Sequence, residues 1–242
     1  MPRYRMYRCA LAGGTGRVGG VLARQLVLSP LCSELRAVGR SDIRSLDGLA
    51  AAASKLRQHR AEFARPMVGI DAASLEGVDA AFCTLGARGG WADDADVAAA
   101  ERDSVLAFAE LCAAARVPHF SLLSSAWADK SSRLPFARIQ GETADAVAAM
   151  DAFERVSIFR PSAVVDEEGR TLGTSGASAF SAALWRAMPV AAQFLPTRFR
   201  QVALADVALA MRLNVELCDA SGRVEVLDFR DMMQIIGRES DV

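Results

Sequence analysis

Tyrosine and lysine are almost missing from this chain. Among its 242 residues there are two tyrosines, Tyr4 and Tyr7, and two lysines, Lys55 and Lys130. Both tyrosines precede the first predicted strand, which excludes a phenolic proton donor from every later helix. Because lysine is scarce, arginine carries almost all of the positive charge, and it presents its hydrogen-bond donors as a rigid planar fork.

A strong net charge, long apolar runs and closely spaced cysteines are missing as well. The net charge of −1 gives no overall attraction to nucleic acid or to an anionic membrane, and no apolar run is long enough to span a bilayer. The five cysteines lack metal-ligand spacing, which predicts reduced core thiols, no metal site and a cytoplasmic location. The basic residues 1–8 are followed too soon by a glycine-rich turn to form a cleavable signal.

The most informative stretch follows the apolar residues 9–11 and reads Gly13-Gly14-Thr15-Gly16-Arg17-Val18-Gly19. After it, apolar residues recur with helical spacing. A strand, a glycine turn and a helix in this order are the context of a dinucleotide-binding fingerprint. Glycines let the backbone approach a pyrophosphate, and the helix N-terminus supplies free N–H groups and a partial positive charge. The sequence therefore predicts a dinucleotide site here; the alternative is a tight turn without a ligand.

The rest of the chain alternates between short apolar strands and helical patterns, which is typical of a doubly wound parallel sheet. Further strands are predicted at 34–39, 65–68, 80–84, 117–123, 153–160 and 223–227, and residues 44–63 are predicted as a helix or a partly ordered loop. We therefore expect an α/β fold of the Rossmann type that forms a single domain over residues 1–242. A loop-and-helix stretch at about residues 162–200 would form a small substrate-side region.

The end of the second predicted strand bears on the choice of nucleotide. About 20 residues after the glycines, the chain of a dinucleotide-binding fold faces the adenosine ribose. Arg40 and Ser41 stand there, and an arginine fork suits a 2′-phosphate, which favours NADP(H). Asp42 argues for NAD(H), since a carboxylate accepts a hydrogen bond from a free 2′-hydroxyl. Asp71, after the third predicted strand, is equally compatible with a place beside the adenine and with a helix N-cap.

Several later stretches carry a resemblance to a known family. They are His119-Phe120-Ser121-Leu122-Leu123-Ser124-Ser125, Ala128-Asp129-Lys130-Ser131-Ser132, Gly141-Glu142, Cys83-Thr84-Leu85-Gly86 and Phe159-Arg160-Pro161. Together with the glycine turn, they resemble the atypical short-chain dehydrogenases/reductases, and within these the Tat-interacting-protein family of NADPH-binding, oxidoreductase-like proteins. The resemblance extends over residues 11–165 and is weaker beyond them.

This resemblance implies where a cofactor would lie. The residues that it assigns to the pyrophosphate are Gly13, Thr15, Gly16, Arg17 and Val18. Those that it assigns to the 2′-phosphate are Arg40 and Ser41. The cofactor would then pass along Leu85 and Gly86, and the nicotinamide would lie near Ser124, Ser125 and Pro161.

The resemblance also points to a departure at the reactive centre. Reductases of this kind carry Tyr-x-x-x-Lys on the helix after the serine strand, where the tyrosine transfers a proton and the lysine lowers its pKa. Counting back from Gly141-Glu142, the corresponding residues here are Phe136 and Gln140. Phenylalanine has no ionisable group, and glutamine can hydrogen-bond a ribose but carries no charge.

Three functions are compatible with these residues. The favoured one is an NADP(H)-binding protein with a regulatory or redox-sensing role, because the cofactor motif is complete and the proton donor is missing. The second is an NADPH-dependent reductase of a small carbonyl compound, in which Ser125 polarises the carbonyl and Asp129 or water supplies the proton. The third is a protein-interaction module in which a cofactor is structural or absent. Its contact residues would be tryptophans, although buried packing is the simpler explanation for them; they are Trp91, Trp127 and Trp185.

Overall fold

Seven parallel strands form the central sheet. The computed structural model describes residues 5–85, 95–169, 200–219 and 222–238. The strands are β1 (Tyr7–Ala12), β2 (Cys32–Gly39), β3 (Leu56–Arg60), β4 (Ala80–Cys83), β5 (His119–Leu123), β6 (Arg155–Phe159), β7 (Val164–Val165), β8 (Val202–Ala203) and β9 (Val224–Leu227). The sheet has the order β3-β2-β1-β4-β5-β6-β9, while β7 and β8 pair separately.

Helices cover both faces of the sheet. They are α1 (Arg17–Leu28), α2 (Ala50–Lys55), α3 (Ala95–Ala114), α4 (Pro135–Ala148), α5 (Leu204–Leu217) and α6 (Phe229–Ile235). Helices α1, α5 and α6 pack on one face, and α3 and α4 pack on the other. In the described part of the chain, no helix has both the length and the apolar character that crossing a membrane requires.

Successive residues of the central strands pack into two different cores. In β1, Cys9 and Leu11 lie in the core beneath α1, α5 and α6, whereas Ala10 and Ala12 lie in the core beneath α3 and α4. Side chains alternate between the faces of a strand, so a strand that is covered on both sides is apolar on both. The prediction of a Rossmann-type, doubly wound parallel sheet is confirmed.

The strand order reverses direction at β1. Its neighbours are β2 on one side and β4 on the other, and the helices that follow β1 and β4, α1 and α3, cover opposite faces of the sheet. A reversal of this kind opens a crevice at the carboxyl ends of the strands, and in open α/β sheets ligands bind there. Residue 13, the first glycine of the turn, comes directly after β1 and therefore stands in this crevice.

The third strand is not where the sequence analysis placed it. The prediction of a strand at 65–68 is wrong, because β3 lies inside the segment 44–63 that was predicted as a helix or loop. That segment also contains the 3-10 helix Arg44–Leu46 and α2. Strand β3 lies at the edge of the sheet, where exposed residues such as Arg57 and Gln58 are tolerated, so it lacks an apolar signature. Val68 instead makes an isolated antiparallel bridge to Glu62.

A buried polar network joins β5, β6 and β9. His119 Nε2 lies 2.8 Å from Ser157 Oγ, and Ser157 Oγ donates to Glu225 Oε1 over 2.6 Å. Arg155 Nη2 pairs with the same carboxylate oxygen at 2.7 Å. Burial, helped by the charge of Arg155, lowers the pKa of His119 to about 3, so its imidazole is neutral in the folded protein.

The neutral state of His119 makes the stability of the fold pH-dependent. The unfolded chain takes up a proton at this histidine near pH 6.5, and the folded chain does so only near pH 3, so stability falls as the pH falls. The expected loss between pH 7 and pH 5 is about 2 kcal/mol. His119→Gln should remove this loss in urea unfolding at the two pH values. His59→Gln, at the only other histidine, should keep most of it; equal pH dependence in His119→Gln and the wild type would contradict this assignment.

Candidate functional site

The glycine turn after β1 is packed against the end of β4. Gly13 has a φ of +87°, and a Cβ atom there would lie 2.6 Å from Thr84 Oγ1. A Cβ atom on Gly19 would lie 2.1 Å from the carbonyl oxygen of Gly13 and 2.5 Å from Thr84 Oγ1. The N–H of Gly16 donates to the same Gly13 carbonyl over 2.9 Å. Glycine is therefore required at positions 13 and 19 by the close approach of backbone to backbone.

Thr84 is a part of this site that the sequence analysis did not single out. Its backbone N–H and its Oγ1 both donate to the carbonyl oxygen of Ala12, each over 3.0 Å. These two bonds hold the carboxyl end of β4 against that of β1, at the reversal of the strand order. The signal in the sequence was a hydroxyl residue at the end of an apolar strand, followed by a glycine two residues later.

A cleft of about 390 Å³ lies beside the turn and the first residues of α1. The residues that line it are Gly14, Thr15, Gly16, Arg17, Gly20, Val21, Arg24 and Ser45. Backbone at a helix N-terminus and two arginines give the cleft the chemistry of an anion site. Arg17 forms an ion pair with the largely buried Asp166, which follows β7, and Val18 is buried beneath the turn.

The end of β2 presents free positive charge. Arg40 and Ser41 are both exposed. Asp42 is held by Arg60, whose Nη2 lies 2.6 Å from Oδ2, and this hydrogen bond lowers the pKa of Asp42. The carboxylate is therefore already paired with a cation, whereas Arg40 has no carboxylate partner among the described residues. The pairing of Asp42 was not predictable from the sequence, because Arg60 lies in β3, a strand without an apolar pattern.

Asp71 and Leu85 are two further residues that were predicted to contact the cofactor. Asp71 caps the 3-10 helix Ala72–Leu75 by accepting from the backbone N–H of Ser74 over 3.0 Å, and Ser74 Oγ donates to it over 2.7 Å. One of the two interpretations of Asp71, the N-cap, is thus seen directly. Leu85 is half-buried and follows β4, and Gly86 lies outside the described residues.

The ends of β5 and β6 bring the predicted serines and Pro161 together. The N–H of Ser124 donates to the carbonyl of Phe159 over 2.8 Å, and the N–H of Ala126 donates to that of Pro161 over 2.9 Å. Ser125 Oγ accepts from the backbone N–H of Trp127 over 3.2 Å, so its hydroxyl proton is not used by this bond. Ser124 Oγ is buried and has no hydrogen-bond partner in the described part of the chain.

Phe136 and Gln140 lie one turn apart at the start of α4, and both are half-buried. The helix packs closely against the loop after β5: a Cβ atom on Gly141 would lie only 2.3 Å from the backbone nitrogen of Lys130. The N–H of Asp129 also donates to the carbonyl of Ala137 over 2.9 Å. These contacts fix the first turns of α4 relative to the serines.

Comparison with known proteins identifies the family. No protein-family model matches the chain. Protein HTATIP2 of Rattus norvegicus is 30% identical over 234 residues, which cover 96% of this chain and 89% of that protein. The chain belongs to the HTATIP2 family. The resemblance to atypical short-chain dehydrogenases/reductases of the Tat-interacting-protein type is thereby confirmed.

Solved structures agree on the fold of this HTATIP2-family chain. MoeE5 in complex with UDP-glucose and NAD has a TM-score of 0.62 at 18% identity, and the match covers 91% of this chain and 75% of that one. The triphenylmethane reductase of Citrobacter sp., complexed with NADP(H), has a TM-score of 0.60 at 14% identity, covering 92% and 69%. At these identities the likeness concerns the fold alone.

Two other groups of the HTATIP2-family chain bear on proton transfer. Tyr7 is buried at the opposite, amino-terminal edge of the sheet, where its hydroxyl donates to Glu216 over 3.1 Å. Burial, with Glu216 and the nearby thiols adding to it, raises the pKa of Tyr7 far above its usual value. Asp129 is exposed and accepts from the N–H and the Oγ of Ser131, and these bonds lower its pKa. Neither group is therefore suited to donate a proton near the serines at neutral pH.

The close packing of Gly19 against Gly13 and Thr84 can be tested with two neighbouring glycines of α1. Gly19→Ala should destabilise the fold by about 1–3 kcal/mol, because the new methyl group meets backbone that cannot move aside. Gly20→Ala is the matched control: its Cβ would be 3.5 Å from the nearest atom, so the better helix propensity of alanine should leave stability equal or slightly higher. Urea unfolding measures both; equal stability of the two variants would contradict the packing described here.

Proposed function

We propose that this chain binds NADP(H) at the carboxyl edge of the sheet and acts as a regulatory or redox-sensing protein. The observation that carries the proposal is the glycine turn, in which Gly13 and Gly19 have no room for side chains and leave backbone N–H groups at the start of α1. This glycine turn suits a pyrophosphate, which binds where backbone N–H groups approach it closely at the N-terminus of a helix. Membership of the HTATIP2 family and the nucleotides in the related folds support the same assignment.

The charges at the end of β2 favour the phosphorylated nucleotide. Arg40 and Ser41 would hold the 2′-phosphate, because both are exposed and Arg40 can form two parallel hydrogen bonds to it. Asp42 would not repel that phosphate strongly, since Arg60 neutralises its charge. Arg44, also exposed, adds a further positive charge nearby.

The remaining positions describe how the chain would hold the nucleotide. When bound, NADPH supplies a hydride at its nicotinamide ring. The main chain of the turn and Arg17 would bind the pyrophosphate, and Asp71 and Leu85 would flank the nucleotide along the edge of the sheet. Ser124 and Pro161 would lie beside the nicotinamide, at the ends of two strands that are bonded to each other.

We propose a regulatory role because the residues at the tyrosine and lysine positions, Phe136 and Gln140, cannot support proton transfer. Phe136 has no proton to give, and Gln140 has no charge to lower the pKa of a neighbour. General acid–base catalysis contributes roughly 10²–10⁴-fold to a rate. We propose that a site without this contribution keeps its nucleotide bound and reports the redox state of the cofactor to a protein partner.

The organisation of the chain completes the proposal. We infer one nucleotide-binding domain over residues 1–242, since strands from the first and the last part of the described chain share one sheet. Residues 162–200 would form the substrate side, although 170–199 lie outside the described residues. A cytoplasmic location goes with this assignment as part of the same proposal.

A substitution at Arg40 tests the choice of nucleotide. Arg40→Leu should raise the Kd for NADPH by about 10- to 100-fold, because charge-assisted hydrogen bonds to the 2′-phosphate are lost. The Kd for NADH should stay the same. Arg230→Leu, at an exposed arginine of α6, is the control and should bind both nucleotides as the wild type does. Titration of nucleotide-stripped protein provides the measurement, and a wild type that prefers NADH would refute the NADP(H) assignment.

Restoring the missing pair tests the regulatory role. The wild type should oxidise NADPH very slowly with a panel of small aldehydes and ketones. Phe136→Tyr combined with Gln140→Lys should raise the rate by about 10²-fold or more, because a proton donor is then present. Steady-state loss of NADPH absorbance gives both rates. Rapid turnover by the wild type would refute the regulatory role.

The second candidate function is an NADPH-dependent reductase with another proton donor. The uncommitted hydroxyl proton of Ser125 favours it, since that proton could polarise a carbonyl oxygen. In that case Ser125→Ala would abolish whatever slow turnover the wild type has, whereas Ser132→Ala in the following loop would not. Unchanged turnover in Ser125→Ala would exclude this mechanism.

A further inference from the structure

Three polar side-chain atoms at the ends of β5 and β6 lack hydrogen-bond partners among the described residues. Ser124 Oγ, Arg160 Nε and Ser162 Oγ are each buried, and none has a partner within the described residues. Buried polar atoms are normally paired, because leaving one unpaired costs the free energy of removing it from water. All three residues follow the ends of two paired strands, and a ligand that reaches these atoms would supply the missing partners.

The two strands bring these side chains to the same place. Leu123 and Phe159 are register partners, so the next residues, Ser124 and Arg160, are also neighbours. Leu123 and Phe159 belong to the core beneath α1 and α5. By the alternation of side chains along a strand, Ser124 and Arg160 are directed to the opposite face, on the side of α4. Ser162 follows Arg160 by two residues.

Arg160 gives this group of side chains a positive charge. The residue is half-buried, and no described carboxylate lies within ion-pair distance of its guanidinium group. Asp129 is near enough for the charge of Arg160 to help lower its pKa, but its carboxylate is bonded to Ser131. A partly buried cation without an ion-pair partner is costly, and an anion that binds there removes the cost.

We propose that Ser124, Arg160 and Ser162 form a binding subsite for a small carboxylate compound. The planar edge formed by Nε and Nη of an arginine matches the two oxygens of a carboxylate, and the two serine hydroxyls can donate to the same group. One positive charge balances one carboxylate, whereas a phosphate dianion would keep a buried negative charge. The subsite lies beside the proposed nicotinamide position, so its role as the site of a second ligand rests on the proposed function.

The test compares carboxylates with neutral molecules of similar shape. Benzoate and 2-oxobutanoate are titrated against benzamide and butan-2-one, with inorganic phosphate as a further probe, both without nucleotide and with saturating NADPH. Ligand-observed NMR measures the affinities, and thermal unfolding measures stability. The carboxylates should bind at least about tenfold more tightly than the neutral molecules.

Arg160→Met should lower the affinity for the carboxylates by about tenfold or more. It should leave the Kd for NADPH unchanged and the unfolding temperature of the unliganded protein equal or higher, because a half-buried unpaired charge is removed. Arg133→Met, at an exposed arginine of the loop before α4, is the control and should retain carboxylate binding.

Several results would overturn the subsite. They are equal affinity for benzoate and benzamide, tighter binding of phosphate, a clear fall of the unfolding temperature in Arg160→Met, and weaker NADPH binding in that variant. A fall in unfolding temperature would mean a structural arginine, and weaker NADPH binding would mean a contact to the cofactor. If the wild type binds no NADPH, the proposed function fails, while the titration without nucleotide still decides on the carboxylate subsite.

Discussion

The site depends on one steric constraint, the contact of two stretches of backbone at the carboxyl end of β1. Gly13 and Gly19 approach each other and Thr84 so closely that no side chain fits between them. This contact holds the start of α1 against the ends of β1 and β4, where the strand order reverses. The hydroxyl and the N–H of Thr84 both donate to the carbonyl of Ala12 and hold the end of β4 against the end of β1.

Polar side chains are hydrogen-bonded to one another at the amino-terminal end of the sheet, whereas some of those described at its carboxyl end lack such partners. At the amino-terminal half, the side chains of His119, Ser157 and Glu225 bond to one another, and Tyr7 bonds to Glu216. Such groups stabilise the fold but offer nothing to a ligand. At the carboxyl end, the exposed Arg40 has no carboxylate partner and the buried hydroxyl of Ser124 has no hydrogen-bond partner among the described residues, so both can bind a ligand. Polar groups that stabilise the fold thus lie toward the amino-terminal ends of the parallel strands, and those that can bind a ligand lie at the carboxyl ends.

The sequence was informative where local patterns decide the structure. Glycine spacing between an apolar strand and an amphipathic helix predicted the turn at Gly13, and buried strands such as β5 were visible as apolar runs. Strand β3 was not predictable in this way, because Leu56–Arg60 is held by its neighbour in the sheet and not by its own apolar pattern. That error also hid the pairing of Asp42 with Arg60, which depends on a contact between residues that are distant in sequence.

The positions of Phe136 and Gln140 illustrate a second limit. Their alignment rested on two residues further along the helix, and the contact of Gly141 with the loop at Lys130 is what fixes the start of α4 in space. The two segments can touch only because glycine has no side chain at this position. The sequence pattern of either segment alone does not reveal such a contact. The missing partners of Arg160 Nε and Ser162 Oγ belong to the same class of three-dimensional information.

Because the side chains of β1 alternate between two cores, a one-residue insertion that keeps the strand regular would change which core they enter. A single insertion before Ala12 would turn Leu11 toward α3 and move Ala10 beneath α1, exchanging a large and a small side chain in both cores at once. If the first part of β1 kept its register instead, the insertion would rotate the following turn away from Thr84. The length of β1 therefore sets the position of the glycine turn relative to Thr84.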